Sequence, residues 1–580
     1  MLYCLLLIKD IHLLIRPAPE KNMRLTWLSL NASYSHSSLA LPLAHNACRD
    51  LADWEWAMVA ATTGDDTGEI AVRLHDSQPD LVCATLYLFN RNHSLDALQR
   101  LKITRPECRI AVGGPECLGD EAARLLAHYP FLDFALHGEA EAGLPPLLNA
   151  IAAGRAGRLA AVPGLAWRQD NTVVDNGGAA CFDAWGTPPL PCQSPFFRLD
   201  KPFAQVETSR GCPFHCTYCT SGNTPLRLKP LAVVVAELER LRAAGVHDIR
   251  LLDRTFNIEP QRTVDLLRLF RDDFPELHFH LEVHPHLLPP AVRAELRAAR
   301  PGQLHLEVGI QTLRDTTRKC IGRSPNPGQD LDGLAFLCAG EGIDVHVDLL
   351  AGCPKQSWDD ILQDVLQVVN IGPAEIQLEI LKVLPGTPLR QDAAGLGLRF
   401  HPLPPYDVLQ TDSLTPADLL RARLLSRMLD LYHNHPDLQP AFQRACREQE
   451  HFLTDFLDCL LVRGLGLGPA PSLRRRFELA WEFAAPRPAV AAELTFAWMV
   501  CAFPPGLGPA AGAVAASQVP DQAELCFGDE TWRRSNRHLR LWQLDLPGRQ
   551  TWFAYDRAIA PNRAIAAWQQ RQSSPPQPYP

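Results

Sequence analysis

From Arg24 the chain alternates short apolar runs with stretches in which apolar residues recur every three or four positions. Strands are predicted at Leu25–Leu30, about Glu55–Ala60, Leu81–Leu86, Arg109–Val112 and Phe134–Leu136. Helices fall between them, at about Leu39–Leu51, about Leu95–Ile103 and from Ala142. This rhythm is that of βαβ units on a parallel sheet, and it predicts a Rossmann-like, doubly wound N-terminal domain over residues 23–157. Residues 158–200 are punctuated by Gly and Pro and read as a linker with a small hairpin. A second alternating series fills 201–412, with strand candidates AQVETSR, DIRLLD, HFHLEVH, QLHLEVGIQT, DVHVDLLAG and EIQLEILKVLPG. Six such units predict a partial (β/α)6 barrel of TIM type, whose ligands bind at the C-terminal strand ends. Residues 413–570 carry helical patterns at Pro416–His433, Pro440–Leu461 and Leu473–Phe483, with some strand near Glu524–Phe553, and predict a mainly helical domain. The tail 571–580, ending SSPPQPYP, predicts disorder.

Composition narrows the function. The length of 580 residues requires several domains, and a net charge of -9 offers no surplus of cations for a phosphate backbone, which argues against nucleic acid. A small-molecule substrate is the expectation. Seventeen cysteines, an odd number spread along a long chain, point to a reducing, cytoplasmic setting. The apolar run Met1–Ile15 is broken by Lys9, Asp10 and His12, too short and too charged to span a bilayer, and it lacks the flanks of a signal peptide. Met23 directly precedes the first strand, so residues 1–22 are read as an extension from a mis-set start codon.

The chemistry concentrates in Glu207-Thr-Ser-Arg-Gly-Cys212-Pro-Phe-His-Cys216-Thr-Tyr-Cys219, a C-x3-C-x2-C set directly after the first barrel strand. Iron–sulfur clusters usually have four thiolate ligands, so three on one loop leave one iron of a four-iron cluster open to substrate or cofactor. Structural zinc is the rival; it wants four ligands, usually in Cys pairs, and His215 inside the loop is an awkward fourth. A chance cluster of thiols does not explain the position at a strand end.

The triplet resembles that of the radical S-adenosylmethionine (SAM) superfamily, which implies a [4Fe-4S] cluster on Cys212, Cys216 and Cys219 with SAM bound at the open iron. The resemblance extends to Tyr218 near adenine, to Asp253, Thr255 and Asn257 of a D-x-T-F-N segment, to Glu307 and Gln311 of an E-x-G-x-Q-[ST] segment, and to Asp348 at the fifth strand end. All are implied SAM contacts. In the N-terminal domain, Gly113-Gly114-Pro-Glu116, then His137-Gly138-Glu139, then Val162-Pro-Gly-Leu resemble the cobalamin-binding branch of the same superfamily, over roughly residues 24 to 410. That branch implies cobalamin near Ser33, His36, Gly113, Gly114, Glu116, Gly138 and Glu139. The D-x-H-x-x-G motif of a lower axial histidine is absent, and His36 stands as a substitute. The region beyond Thr415 resembles an uncharacterised extension in one part of the branch.

The resemblance implies an enzyme that takes electrons from a low-potential donor of flavodoxin or ferredoxin type, cleaves SAM reductively and methylates an unactivated carbon of a small molecule. Two alternatives stay open: a radical cyclase or rearrangement enzyme of the anaerobic Mg-protoporphyrin monomethyl ester cyclase type, and a cobalamin-binding sensor without catalysis. A methylthiotransferase would need three further clustered cysteines near the N-terminus, where Cys48, Cys83, Cys108 and Cys117 are dispersed.

Overall fold

The computed structural model describes residues 22–571 except 155, 171, 325, 485, 535–538 and 557, so the expectations for residues 1–21 and for the tail after Arg571 lie outside the described residues. The chain divides into two compact units, residues 1–201 and 202–580.

In the first unit β1 (Met23–Asn31), β2 (Trp54–Thr62), β3 (Leu81–Thr85), β4 (Arg109–Gly113) and β5 (Phe134–Leu136) run parallel. The linker hairpin β6 (Leu165–Gln169) and β7 (Thr172–Asp175) extends the sheet antiparallel, in the order β2-β1-β3-β4-β5-β6-β7. Alternation along each strand supplies two cores. Leu28, Leu30, Val82 and Ile110 pack on one face, and Leu25, Trp27, Cys83 and Ala111 on the other, which is what a doubly wound sheet requires.

The glycine turn after β5 is structural. Gly138 has φ +102°, and a Cβ there would lie 2.4 Å from the backbone N and O of Ala180, the linker residue with which it forms a parallel bridge. Its freedom serves this close approach.

The second unit opens with β8 (Ala204–Val206). A two-residue ladder follows, β9 (Ser209–Arg210) against β10 (Arg227–Leu228), and it closes the loop that carries the three cysteines. Then come β11 (Asp248–Leu251), β12 (His278–Val283), β13 (Leu304–Gln311), β14 (Ile343–Ala351) and β15 (Glu375–Ile380). The parallel sheet runs β8-β11-β12-β13-β14-β15, and its two outer strands are not paired to each other, so the barrel is open. Leu304, Leu306, Val308 and Ile310 of β13 are buried, while the alternate residues are half-buried; of these Glu307, Gly309 and Gln311 line a cavity. The outer edge of β15 is sealed by one side chain. Asn434 accepts from the Ile376 N–H at 2.9 Å and donates to the Ile376 carbonyl at 3.0 Å, taking the place of a seventh strand.

Beyond this edge lie helices Pro416–Met428, Gln439–Glu448, Phe452–Val462, Leu473–Ala484 and Pro488–Val500. The apolar pattern of 440–461, read as one helix, is two: the chain turns at Gln449–His451, which lets the Phe442 and Phe452 rings meet at 5.3 Å. The strand content near the C-terminus exceeds the expectation. Val514–Ala516, Glu524–Gly528, Arg540–Leu546, Arg549–Tyr555 and Ala566–Arg571 form a five-stranded antiparallel sheet. No helix among the described residues is long and apolar enough to cross a membrane.

Replacing Gly138 by Ala should force the Ala180 segment away from the sheet. The expected result is a lower melting temperature together with new proteolytic cleavage between residues 176 and 190, read by mass spectrometry.

Candidate active site

The cysteine loop is held by backbone from remote parts of the second unit. The Thr217 N–H donates to Ile321 O at 3.0 Å, and Thr217 O accepts from the Leu389 N–H at 2.9 Å. Within the loop Cys212 N donates to Thr224 Oγ1 at 2.9 Å. Gly211 has φ +96°, and a Cβ on it would stand 2.1 Å from Pro225 O, so only glycine lets the loop's two limbs close. Cys212 is buried, Cys216 and Cys219 are half-buried, and His215 is exposed. The three cysteines are not in disulfides.

All three line a cavity of about 230 Å³ at the C-terminal strand ends. Tyr218, Thr255, Glu307, Gln311 and Asp348, expected from the sequence, share its wall with Arg254, Glu282, His284 and Arg323. Gln311 adopts φ +68° beside an irregularity in the β13–β14 register. A non-glycine residue in this left-handed region is uncommon and collects at functional sites.

Two expected contacts are elsewhere. Asp253 is 1 % exposed, and its carboxylate accepts from Thr208 N at 2.7 Å, Thr208 Oγ1 at 2.5 Å and Ser209 Oγ at 2.8 Å. Asn257, equally buried, donates to His284 O and Leu287 O and accepts from His284 N, all at 2.8–2.9 Å. Neither lines the cavity. Both shape the loops that form it.

The carboxylates of the wall are not equivalent. His280 Nε2 lies 3.0 Å from Glu307 Oε2, and this hydrogen bond holds the Glu307 carboxyl below its usual range. Burial, and then the Glu307 charge to which it hydrogen-bonds, pushes Asp348 up to about 8. Burial likewise pushes Glu282 up to about 7. At neutral pH Asp348 therefore keeps a proton that it shares with Glu307, which limits the repulsion of three acids around one cavity.

Arg323 lines the cavity without having been expected from the sequence, as do Arg254, Glu282 and His284. Arg323 Nη2 donates to Gly309 O at 2.5 Å, Nη1 reaches Tyr218 Oη at 3.4 Å, and Nε is buried without a partner. The available signal was a lone cation between Gly322 and Ser324, in a loop returning to the barrel mouth.

In the first unit Ser33 and His36, joined by a 2.8 Å hydrogen bond, line a separate cavity of about 320 Å³ with Ser38, Phe196, Arg198 and Lys201. The other residues expected to meet cobalamin do not line it. Gly113 ends β4, and Gly114 (φ +96°) turns against Thr85 and Leu86. Glu116 is buried with Arg91 Nε 3.4 Å away. Gly138 meets Ala180, and Glu139 accepts from Phe182 N at 2.7 Å.

Residues 206–368 match the model of the radical SAM superfamily. That segment, which carries the cysteine loop and the first strands of the second unit, is similar to radical SAM domains. The chain is 25 % identical over 323 residues to the hopanoid C-3 methylase of Methylococcus capsulatus, covering 54 % of this chain and 59 % of that protein. It is also 25 % identical over 339 residues to the cobalamin-dependent radical SAM methyltransferase TokK of Streptomyces tokunonensis, covering 54 % and 48 %. The chain thus spans about half to three-fifths of the length of these two curated relatives. The fold is shared with the cobalamin-dependent SAM radical enzyme OxsB (TM-score 0.56, 14 % identity, 82 % of this chain and 79 % of that one). It is shared also with the radical SAM methyltransferase TsrM of Kitasatospora setae (TM-score 0.52, 19 % identity, 68 % and 81 %).

The carboxylates of Asp348 and Asp253 each carry a prediction. An unfolded aspartate loses its proton near pH 4, whereas Asp348 keeps its proton to about 8. The native chain then holds an extra proton across that window, and stability falls as pH rises through it. The melting temperature of the wild type should decline between about pH 5 and about pH 8.5, and Asp348→Asn should decline less. Asp253→Ala leaves three buried donors without an acceptor and should cost on the order of 3 kcal/mol, read as a lower urea midpoint, with less iron retained after reconstitution.

Proposed function

We propose that this chain is a cobalamin-dependent radical SAM enzyme that methylates an unactivated carbon of a small molecule. The observation that carries the reading is that Cys212, Cys216 and Cys219, on one loop, open onto a cavity whose wall also carries Glu282, Glu307, Asp348 and the guanidinium of Arg323. The donor set fits the group. Three thiolates bind a [4Fe-4S] cluster and leave one iron open, while a closed zinc site lacks its fourth ligand because His215 faces solvent. With cluster and SAM in place, reductive cleavage supplies a 5′-deoxyadenosyl radical, and cobalamin supplies the methyl group.

The chain's own side chains divide the remaining work. Arg323 would offer a desolvated cation to the SAM carboxylate, where an ion pair is stronger than in water. Glu282 and the Glu307–Asp348 pair would serve its ammonium and ribose hydroxyls, and the proton on Asp348 lets that carboxyl donate as well as accept. Gln311 adds an amide at the strand end, and Tyr218 packs its ring on the same wall. Thr255 Oγ1 stands 3.8 Å from Cys212 Sγ and donates its proton to Arg254 O at 2.7 Å, which fixes the hydroxyl beside the cysteine. In the N-terminal unit the hydroxyls around Ser33 and His36, with Lys201, suit the polar periphery of a corrinoid, and a cavity of about 320 Å³ takes part of such a ligand. The electron donor is a low-potential protein of flavodoxin or ferredoxin type, and the setting is the cytoplasm.

The test is anaerobic reconstitution with iron, sulfide and cobalamin, followed by reduction with dithionite in the presence of methyl-labelled SAM. Wild type should retain a corrin spectrum and form 5′-deoxyadenosine, while Cys216→Ala forms none. A substrate found by screening should acquire the labelled methyl. Deoxyadenosine with an unlabelled, rearranged product would point to ring closure instead of methyl transfer; bound cobalamin without SAM cleavage would leave a sensor.

A further inference from the structure

Behind Arg323 lies a chain of polar groups to which the reading above gives no role. Arg323 Nη2, besides its bond to Gly309 O, stands 3.3 Å from His284 Nε2. A guanidinium has donors only, so this imidazole nitrogen must present its lone pair and the single ring proton sits on Nδ1. That nitrogen is buried without a hydrogen-bond partner, with Asp330 Oδ1 3.9 Å away, a separation at which the carboxylate acts through its charge alone. Asp330 is fixed in turn by Arg318 Nη2 at 2.6 Å, in a pair without solvent exposure, and by His286 Nδ1 at 3.2 Å. Asn257 pins the backbone N–H and carbonyl of His284, so the ring's root is fixed as well.

His284, His286 and Asp330 are close enough together to suggest a cation site. The charges exclude it. Arg318 and Arg323 already place two positive charges on the group, and the lone pair of His284 is turned to Arg323, away from Asp330. Burial first, then Arg323 and His286, pushes the His284 pKa down to about 3, so the ring stays neutral and keeps this tautomer at physiological pH.

We propose that His284, its backbone pinned by Asn257, is a positioning residue for Arg323: it accepts from Nη2 and holds the guanidinium against Gly309 and Tyr218 so that its charge faces the carboxylate of SAM. The inference rests on the SAM reading of the cavity and gives His284, which lines the same wall, a role exerted through Arg323. Without the Nε2 acceptor the guanidinium loses one of its tethers, and the entropy of fixing it falls on the ligand.

The experiment measures equilibrium binding of SAM and of decarboxylated SAM to the anaerobically reconstituted, cluster-loaded full chain, in wild type, His284→Phe, His284→Gln, Arg323→Gln and the double variant His284→Phe/Arg323→Gln. Iron content and melting temperature are recorded for each. His284→Phe should weaken SAM by about tenfold and leave decarboxylated SAM within about twofold, because only SAM offers Arg323 a carboxylate. His284→Gln, whose Oε1 still accepts from Nη2, should stay within about threefold of wild type for SAM. The double variant should bind SAM no more weakly than Arg323→Gln alone, since coupled residues are not additive. Equal weakening of both ligands, or additive losses, overturns the positioning role while leaving the SAM reading intact. A wild type that binds neither ligand overturns both. If His284→Phe does not fold, a tenfold loss for SAM alone in folded His284→Gln is enough to refute the role assigned to the acceptor.

Discussion

The buried carboxylate of Asp253 takes three hydrogen bonds from Thr208 and Ser209 and thereby fixes the point at which the chain leaves β8 and starts the cysteine loop. Burial raises its pKa, and the donors from Thr208 and Ser209 act in the opposite direction. The loop cannot choose its own course, because Gly211 must pass Pro225 and Thr217 must meet Ile321 and Leu389. Three thiols converge on one cavity only because these anchors belong to the barrel. A cysteine spacing supplies ligands, and the hydrogen bonds around it decide where they point.

The barrel presents polar groups to its cavity, and such an interior carries a cost. Glu282, Glu307 and Asp348 could not all be charged around so small a space. The molecule answers with different partners for each: His280 for Glu307, a retained proton for Asp348, and Arg254 3.8 Å from Glu282. A ligand that brings positive charge enters a wall already prepared for it, with a cation, Arg323, at the opposite requirement.

Much of the architecture was legible in the alternation of the chain. Strands such as HFHLEVH and QLHLEVGIQT declare both a buried side and a polar side, and the polar side proved to include the cavity wall. The cysteine loop was legible because its ligands lie within eight residues of one another. Asp253 and Asn257 were harder: a polar residue at a strand end looks the same whether it meets a ligand or a backbone N–H, and only the fold shows which. Gly138 was read as room for a cofactor, but the room is taken by Ala180, 42 residues later. Arg323 lies outside any periodic segment, and its importance comes from Gly309, Tyr218 and His284, which the sequence leaves far apart. The break at Gln449–His451 has no Gly or Pro to announce it, and it brings the Phe442 and Phe452 rings together.

Asn434 imitates a strand for the length of one residue, and this makes the sheet edge depend on the region that supplies it. An open sheet edge invites any extended segment to add to it. Here that place is held by a helical region through a single amide and, beside it, by Gln439 donating to Pro373 O and Ala374 O, each at 3.0 Å. The C-terminal region is thus bonded to the sheet at this edge, and cutting the chain before Asn434 would leave the Ile376 N–H and carbonyl without these partners.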